Sequence, residues 1–156
     1  MNSLLKFGIG TFCWIAASVT QAESISRINP PTLLDSTAYG FTQVVVAPNN
    51  GRTVYLSGQF SSDTEGNVLG ETVAEQIPIA LQNLKHAIKA SGAKPENVVK
   101  IQIYIVDHAQ KDAYQLQSEI KQLFGDNLPA STLVPVPRLA LDGMKFEIDA
   151  ILVIPN

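Results

Sequence analysis

The stretch from Ala80 to Asp107, "ALQNLKHAIKASGAKPENVVKIQIYIVD", changes its hydrophobic period halfway along. Before Gly92, apolar residues recur every three to four positions, which is typical of an amphipathic helix. After Pro95, apolar and polar residues alternate from Val99 to Val106, which is typical of a half-buried strand. The stretch therefore predicts a helix that ends near Gly92 and leads directly into a strand.

The predicted helix extends upstream of this stretch. Its apolar face is formed by Val73, Ile77, Leu81, Leu84 and Ile88. Thr72 and Glu75 have the spacing of a capping box, which marks a helix start. Pro78 lies too deep for a first-turn proline if Thr72 is the cap. Either the helix begins near Glu75, or its first turn is kinked.

The remaining elements follow the same two periods. A second helix is predicted from Ala113, Leu116, Ile120, Leu123 and Phe124, closed by Gly125. Strands are predicted at Val44–Ala47, Thr53–Ser57, Ala130–Val136 and Lys145–Val153, the first two as a hairpin around "PNNG". This order predicts an α+β domain in which both helices pack on one face of a mixed β-sheet.

Residues 1–22 have the composition of an export signal. Lys6 precedes an apolar run from Phe7 to Val19, and Thr20-Gln21-Ala22 offers small residues for cleavage. About thirteen apolar residues are too few for the ~20 that a membrane-spanning helix needs. We expect a cleaved signal peptide, a single domain over residues 23–156, and a periplasmic or secreted protein that has no membrane attachment after cleavage.

The composition of residues 23–156 excludes several classes of function. Lys6 and Cys13 both lie in the predicted signal, so ten basic residues remain against fourteen acidic ones and no cysteine remains. A net charge of −4 with scattered basic residues argues against a nucleic-acid partner, whose binding depends on clustered Lys and Arg. Disulfide and thiolate chemistry are also unavailable to this part of the chain.

Common catalytic and cofactor motifs are missing from the sequence. His86 and His108 are its two histidines, and neither has a partner at metal-ligand spacing. The glycines lack the spacing of a phosphate-binding loop, and no serine lies in a nucleophile elbow. We therefore predict no metal and no cofactor, and the chemistry has to come from ordinary side chains.

Several phrases, in this order and spacing, resemble the Rid family, also called the YjgF family, of small imine and enamine deaminases. They are "INPP" near Asn29, "VYLSGQ" at 54–59, Gly70 with Glu75-Gln76, "ALQNLKHAIKASGAKPENVVK" at 80–100, "YIVD" at 104–107, "LPAS" at 128–131 and "KFEIDAI" at 145–151. The resemblance covers nearly all of residues 23–156. Each phrase is weak alone, and the combination is specific.

The resemblance implies a chorismate-mutase-like fold assembled as a homotrimer, with ligand clefts between neighbouring subunits. It also implies hydrolysis of 2-imino or 2-aminoacrylate acids to 2-keto acids and ammonia, without metal or cofactor. A site for that reaction needs a fixed cation to hold the substrate carboxylate. It also needs a carboxylate or carbonyl group that orients water against the imine carbon.

The resemblance assigns candidate site residues one by one. Glu147 matches the acidic residue of the family and is the candidate catalytic group. The turn that lines the family's cleft matches Ser57, Gly58 and Gln59. The other reading of Glu147, together with Asp149, is the solvated face of an alternating strand.

Other positions depart from the family pattern. The tyrosine of the deaminases aligns with Phe41, with Tyr39 two residues away, and an asparagine-type position aligns with Ala109. The arginine that anchors the substrate carboxylate aligns with Ser131, which is followed by Thr132. Such a charged hydrogen bond is worth roughly 1.5–3 kcal/mol, so serine weakens the grip on an acid.

No other cation of the sequence is placed to replace this arginine. Arg138 lies seven residues further along the strand, about 23 Å away at ~3.3 Å per residue. Arg52 lies on a predicted turn, and Lys100 is on the polar face of its strand. Ser131 and Thr132 then either offer hydrogen bonds to a less anionic substrate or are ordinary strand residues.

Two functions remain open from the sequence. The first is an exported Rid-type deaminase that hydrolyses an imine or enamine, with weakened, altered or absent activity, and the expected small-molecule ligand of its clefts is an imino or keto acid. The second is a non-catalytic trimer of the periplasm that binds a small ligand in the same clefts.

Overall fold

The computed structural model describes residues 24–156, and the predicted signal segment 1–22 lies outside this range. Its helices and strands are β1 (Ser26–Ile28), β2 (Val44–Val46), β3 (Arg52–Phe60), α1 (Val73–Ala90), β4 (Val98–Val106), α2 (Gln110–Phe124), β5 (Ala130–Val136) and β6 (Phe146–Ile154). Neither helix of this range has the length and apolar character needed to cross a membrane.

Four strands form the main sheet in the order β3-β6-β4-β5. Strands β4 and β5 are parallel, whereas β6 is antiparallel to both of its neighbours, so the sheet is mixed. The connection between the parallel strands is α2, as parallel pairing requires a crossover. Both helices pack on one face, which confirms the predicted α+β arrangement.

The core lies between the helices and this face of the sheet. From β4 the alternating residues Ile101, Ile103 and Ile105 are buried, and β6 contributes Phe146 and Ile148. From α1 the buried side chains are Ile77, Ala80, Leu81, Leu84 and Ile88. Each large apolar side chain buried in this way contributes about 1.5–3 kcal/mol. The same residues gave the helical and strand periods of the sequence.

Two local predictions differ from the structure. The alternating pattern predicts Val99 on the buried face of β4. In the structure Val98 is fully buried and Val99 is half-buried, because the pairing of β4 with β6 shifts register between Val98 and Lys100. The predicted hairpin is also wrong, since β2 pairs with β1 while β3 pairs with β6. Pro48 in the turn has no N–H to donate to a hairpin ladder.

Helix α1 runs through its internal proline. It begins at Val73, with Thr72 and Glu75 forming the predicted capping box, so a start near Glu75 is wrong. A proline removes the hydrogen bond to the carbonyl four residues earlier, which here belongs to Ala74. The side-chain amide of Gln115 on α2 donates to that carbonyl at 2.8 Å. The group freed by Pro78 thus joins the two helices.

Gln76 connects the start of α1 to distant parts of the chain. Its side chain is fully buried, and its amide nitrogen donates to the carbonyls of Gly70 and Gly143 at 2.9 and 2.8 Å. Its amide oxygen accepts from the backbone N–H groups of Lys145 and Phe146. One side chain therefore satisfies four backbone groups and holds the loop before β6 against α1.

Candidate functional site

A groove of about 680 Å³ lies between α2, strands β4 and β5, and a turn at Thr37–Tyr39. Its lining residues are Ala38, Tyr39, Gly40, Phe41, Ile101, Ile103, Gln110, Ala113, Tyr114, Leu116, Gln117, Ile120, Ser131 and Leu133. Aliphatic and aromatic side chains predominate, and the set contains no Lys, Arg, His, Asp or Glu. The groove is therefore apolar, with a few uncharged polar groups.

Ser131 faces this groove because of the strand register. In the parallel ladder Ser131 lies opposite Ile101 and Leu133 lies opposite Ile103, and paired residues point to the same face. That face carries the helices. The position that the resemblance gives to the anchoring arginine thus points at α2, beside the predicted site residues Phe41 and Tyr39. The structure brings these three together.

Thr132 lies on the other face of the sheet, which corrects its grouping with Ser131. Successive side chains of a strand point in opposite directions, so two neighbouring residues cannot line one groove from one strand. The Thr132 hydroxyl accepts a hydrogen bond from the Lys100 ammonium at 2.5 Å. In a single chain Thr132 and Ser131 therefore serve different surfaces.

Glu147 also lies on this second face, which we call the open face because neither helix covers it. The carboxylate packs against the backbone of Gly58, and a Cβ at Gly58 would lie 1.9 Å from the Glu147 Oε1 atom. Partial burial raises the pKa of Glu147, and the negative charge of Asp149 raises it further. The carboxyl group thus lies directly against the backbone of Gly58 and has an enhanced affinity for a proton.

A bulge in β3 creates the space for this carboxylate. The pairing of β3 with β6 shifts register between Leu56 and Gln59, so Ser57 and Gly58 fall outside the regular ladder. Ser57 is exposed, and its carbonyl accepts from the Gln59 amide at 3.1 Å. Gly58 of the predicted turn therefore lies beside Glu147, and none of the three predicted turn residues lines the groove of Ser131.

Other polar side chains extend the open face around Glu147. The Gln102 amide donates to both carboxylate oxygens of Asp149, at 3.4 and 3.3 Å. Burial lowers the pKa of Lys100, and the opposing charge of Asp149 counteracts part of this. Within residues 24–156, no cluster of three or more His, Cys, Asp and Glu side chains is arranged to hold a metal ion.

The contribution of α2 to the groove was not predicted from the sequence. Gln110, Tyr114 and Gln117 line it at spacings of four and three, beside the predicted core stripe of the same helix. This polar stripe was visible in the sequence, although it did not by itself indicate a site. Ala109 precedes α2, and its N–H donates to the buried Asp112 carboxylate at 2.9 Å.

The chain matches known proteins over most of its length. A family model described as Endoribonuclease L-PSP matches residues 35–154. The human 2-iminobutanoate/2-iminopropanoate deaminase is 35% identical over 101 residues, which are 64% of this chain and 72% of that protein. The mitochondrial protein mmf2 of Schizosaccharomyces pombe is 30% identical over 108 residues, 67% of this chain and 82% of that protein.

Solved structures agree with these sequence matches. A Rid-family protein of unknown function from Yersinia pestis, YyfB, has a TM-score of 0.79 and 29% identity, and the match covers 83% of this chain and 98% of that one. RidA from an Antarctic Psychrobacter has a TM-score of 0.59 and 31% identity, covering 73% and 88%. The match to the family model spans far more than half of the chain, so this protein belongs to the Endoribonuclease L-PSP family, which is the Rid or YjgF family.

Proposed function

We propose that this protein hydrolyses the C=N bond of a small imine, or of its enamine tautomer, to a carbonyl compound and ammonia. Relatives that carry the name 2-iminobutanoate/2-iminopropanoate deaminase support the reaction type, and one of them from Rattus norvegicus is 37% identical over 103 residues. The observation that carries the proposal in this chain is the position of Glu147 on the Gly58 bulge.

Glu147 is suited to transfer a proton. The glycine allows the carboxylate to approach the backbone, so its position is defined by β3 and β6 together. Its raised pKa makes the carboxylate a stronger base than that of an ordinary glutamate. It therefore accepts a proton from water more effectively. In this role Glu147 accepts a proton from the water molecule that attacks the imine carbon.

A homotrimer would bring Glu147 and the groove together. In one chain Ser131 faces the helices, whereas Glu147 lies on the open face of the same sheet. A single cleft can hold both groups when they come from different subunits. The open face also exposes Tyr55, 76% accessible, and Val134, which are apolar side chains that a neighbouring subunit would cover.

The reaction is tested with 2-iminobutanoate generated enzymatically in the presence of the purified protein, with formation of 2-oxobutanoate followed. We expect hydrolysis above the spontaneous rate. Glu147→Gln should remove on the order of 10²–10⁴-fold of that acceleration, as loss of a general base does. Glu119→Gln on α2, outside the proposed cleft, is the matched control and should keep the activity.

A second function is favoured by Ser131 itself. Without the arginine that the resemblance places there, the cleft of a trimer could bind a small ligand and catalyse nothing. No acceleration for any imine, combined with saturable binding of a small carbonyl compound, would support this alternative. Restored deaminase activity in Ser131→Arg would instead indicate that the other catalytic groups are intact.

We also propose that the protein is exported to the periplasm after removal of residues 1–22. The support is the apolar run from Phe7 to Val19 followed by Thr20-Gln21-Ala22. Expression in a Gram-negative host with the full sequence should release a protein whose first residue is Glu23. Recovery of the uncleaved chain from the cytosol would contradict this.

A further inference from the structure

The groove beside Ser131 offers an acidic substrate no fixed charge from its own chain. Among its lining residues, all of which belong to the described part of the chain, none is cationic. Lys121 contacts the lining from outside, and its ammonium is engaged there because it donates to the Ala38 carbonyl at 3.1 Å. A carboxylate that entered the groove would lose hydration without gaining an ion pair, which is unfavourable.

The apolar lining is extensive enough to hold a sizeable apolar group. Aromatic rings come from Tyr39, Phe41 and Tyr114, and branched aliphatic side chains come from β4, β5 and α2. A volume of about 680 Å³ is within the range of ordinary small-molecule sites. Burying apolar surface there contributes roughly 25 cal/mol per Å².

The polar groups of the groove are uncharged. The Gln110 amide is already engaged, since it donates to the Tyr114 hydroxyl at 3.1 Å. The Ser131 hydroxyl and the Gln117 amide make none of the side-chain hydrogen bonds found within residues 24–156, so both are available to a ligand. A hydroxyl and an amide match a carbonyl, imine or amide group.

We propose that this groove prefers an uncharged molecule that carries an aromatic or branched aliphatic group and one carbonyl or imine over an imino acid with a carboxylate. The reaction part rests on the proposed function. The substrate is then a neutral ketimine: water adds its oxygen to the imine carbon and its protons to the nitrogen, the C–N bond breaks, and a ketone and ammonia are released. Atoms balance without an oxidant or reductant.

The test compares acetophenone with phenylglyoxylate by titration calorimetry and by amide NMR of the purified protein. The two probes share a phenyl ring and a ketone. Acetophenone has a methyl group on the ketone, where phenylglyoxylate has a carboxylate. We expect acetophenone to bind at least tenfold more tightly, with the largest shifts at Ser131 and Gln117. Equal or tighter binding of phenylglyoxylate overturns the proposal, and so does failure of both probes to bind.

Variants with an added cation make the charge argument specific. Ser131→Arg should reverse the preference in favour of phenylglyoxylate by at least tenfold. Gln117→Arg brings a cation from α2 and should produce the same reversal if the strand variant folds poorly. Ser118→Arg adds the same charge on the exposed side of α2 and should leave the preference unchanged. A reversal in Ser118→Arg, or none in both groove variants, contradicts the proposal.

The outcomes also separate this proposal from the proposed function. Tight acetophenone binding without acceleration of imine hydrolysis supports the ligand class and removes the catalytic function. Acceleration of 2-iminobutanoate hydrolysis together with a preference for phenylglyoxylate supports catalysis and overturns the ligand class.

Discussion

The contact between Glu147 and Gly58 defines the candidate catalytic group. The carboxylate occupies the space that a side chain at position 58 would need. Gly58 is thus needed for a close approach, which is one of the reasons a strand contains glycine. The glycine and the glutamate act as a pair, although 89 positions separate them in the sequence.

Gly58→Ala tests this pair. The added Cβ would overlap the Glu147 Oε1 atom, so the carboxylate has to move while the backbone can stay. We expect imine hydrolysis to fall at least tenfold, with a change in unfolding free energy below about 1 kcal/mol, because the atom displaced is the end of a flexible side chain. Thr53→Ala, on the same strand, is the control. Full activity in Gly58→Ala would show that the carboxylate position is unimportant.

The raised pKa of Glu147 predicts a pH dependence. The base form of the carboxyl group exists above its pKa, so activity should fall as pH is lowered through an inflection above the ordinary glutamate value of about 4.3. Asp149→Asn removes one of the two causes and should move the inflection to lower pH. Rate profiles of both proteins check this, and an unchanged inflection would contradict the role of Asp149.

The same pKa shift has a consequence for stability. Folding raises the pKa, so the folded state binds the proton more strongly than the unfolded state does. The contribution of Glu147 to stability is therefore present at low pH and is lost as pH rises from the ordinary value to the raised one. Glu147→Gln should lack this loss, and thermal unfolding at several pH values measures it.

At the scale of elements, Pro78 and Gln115 link the two helices. The Ala74 carbonyl cannot bond to residue 78 and accepts from Gln115 at 2.8 Å instead. This arrangement satisfies a helix carbonyl that a proline leaves open. It also connects α1 directly to α2, which forms one wall of the groove.

A double-mutant cycle measures this link. Gln115→Ala should cost about 0.5–1 kcal/mol of unfolding free energy, as an intramolecular hydrogen bond does. In the Pro78→Ala background the N–H of residue 78 can take the same carbonyl, so the cost of removing Gln115 should be smaller. Chemical denaturation of the four proteins gives the coupling, with Gln122→Ala as an exposed control on α2. Additive costs would contradict the link.

At the scale of the whole molecule, the two faces of the sheet differ in how they are covered. The helices bury one face, while Tyr55, Tyr104 and Val134 remain accessible to different degrees on the open face. An antiparallel or mixed sheet in a stable assembly covers its apolar residues against another layer. Here that layer is proposed to be two further copies of the chain.

Tyr55→Glu tests the assembly. The side chain is 76% exposed in the single chain, so its replacement should leave the fold of each subunit intact. A carboxylate buried between subunits is unfavourable, so the trimer should dissociate. Light scattering after gel filtration should give three times the subunit mass for the natural protein and the subunit mass for the variant. Lys85→Glu on the helical side should stay trimeric, and a trimeric Tyr55→Glu would exclude this face as the interface.

The sequence alone determined the local features of this protein. Helix and strand periods, the capping box of Thr72 and the family phrases depend on neighbouring residues, so they could be read without a structure. The serine at position 131 was equally visible. The match to the family model confirmed the Rid family that these phrases predicted. The α+β arrangement followed from the order of the elements.

The tertiary structure decided which residues share a surface. Ser131 and Thr132 are neighbours in sequence and lie on opposite faces, while Gly58 and Glu147 meet from distant strands. Register shifts at Val98 and Gly58 depend on the partner strand, and a local pattern contains no information about that partner. The groove exists because α2 packs beside Ser131, which is a contact between elements that only the folded chain brings together.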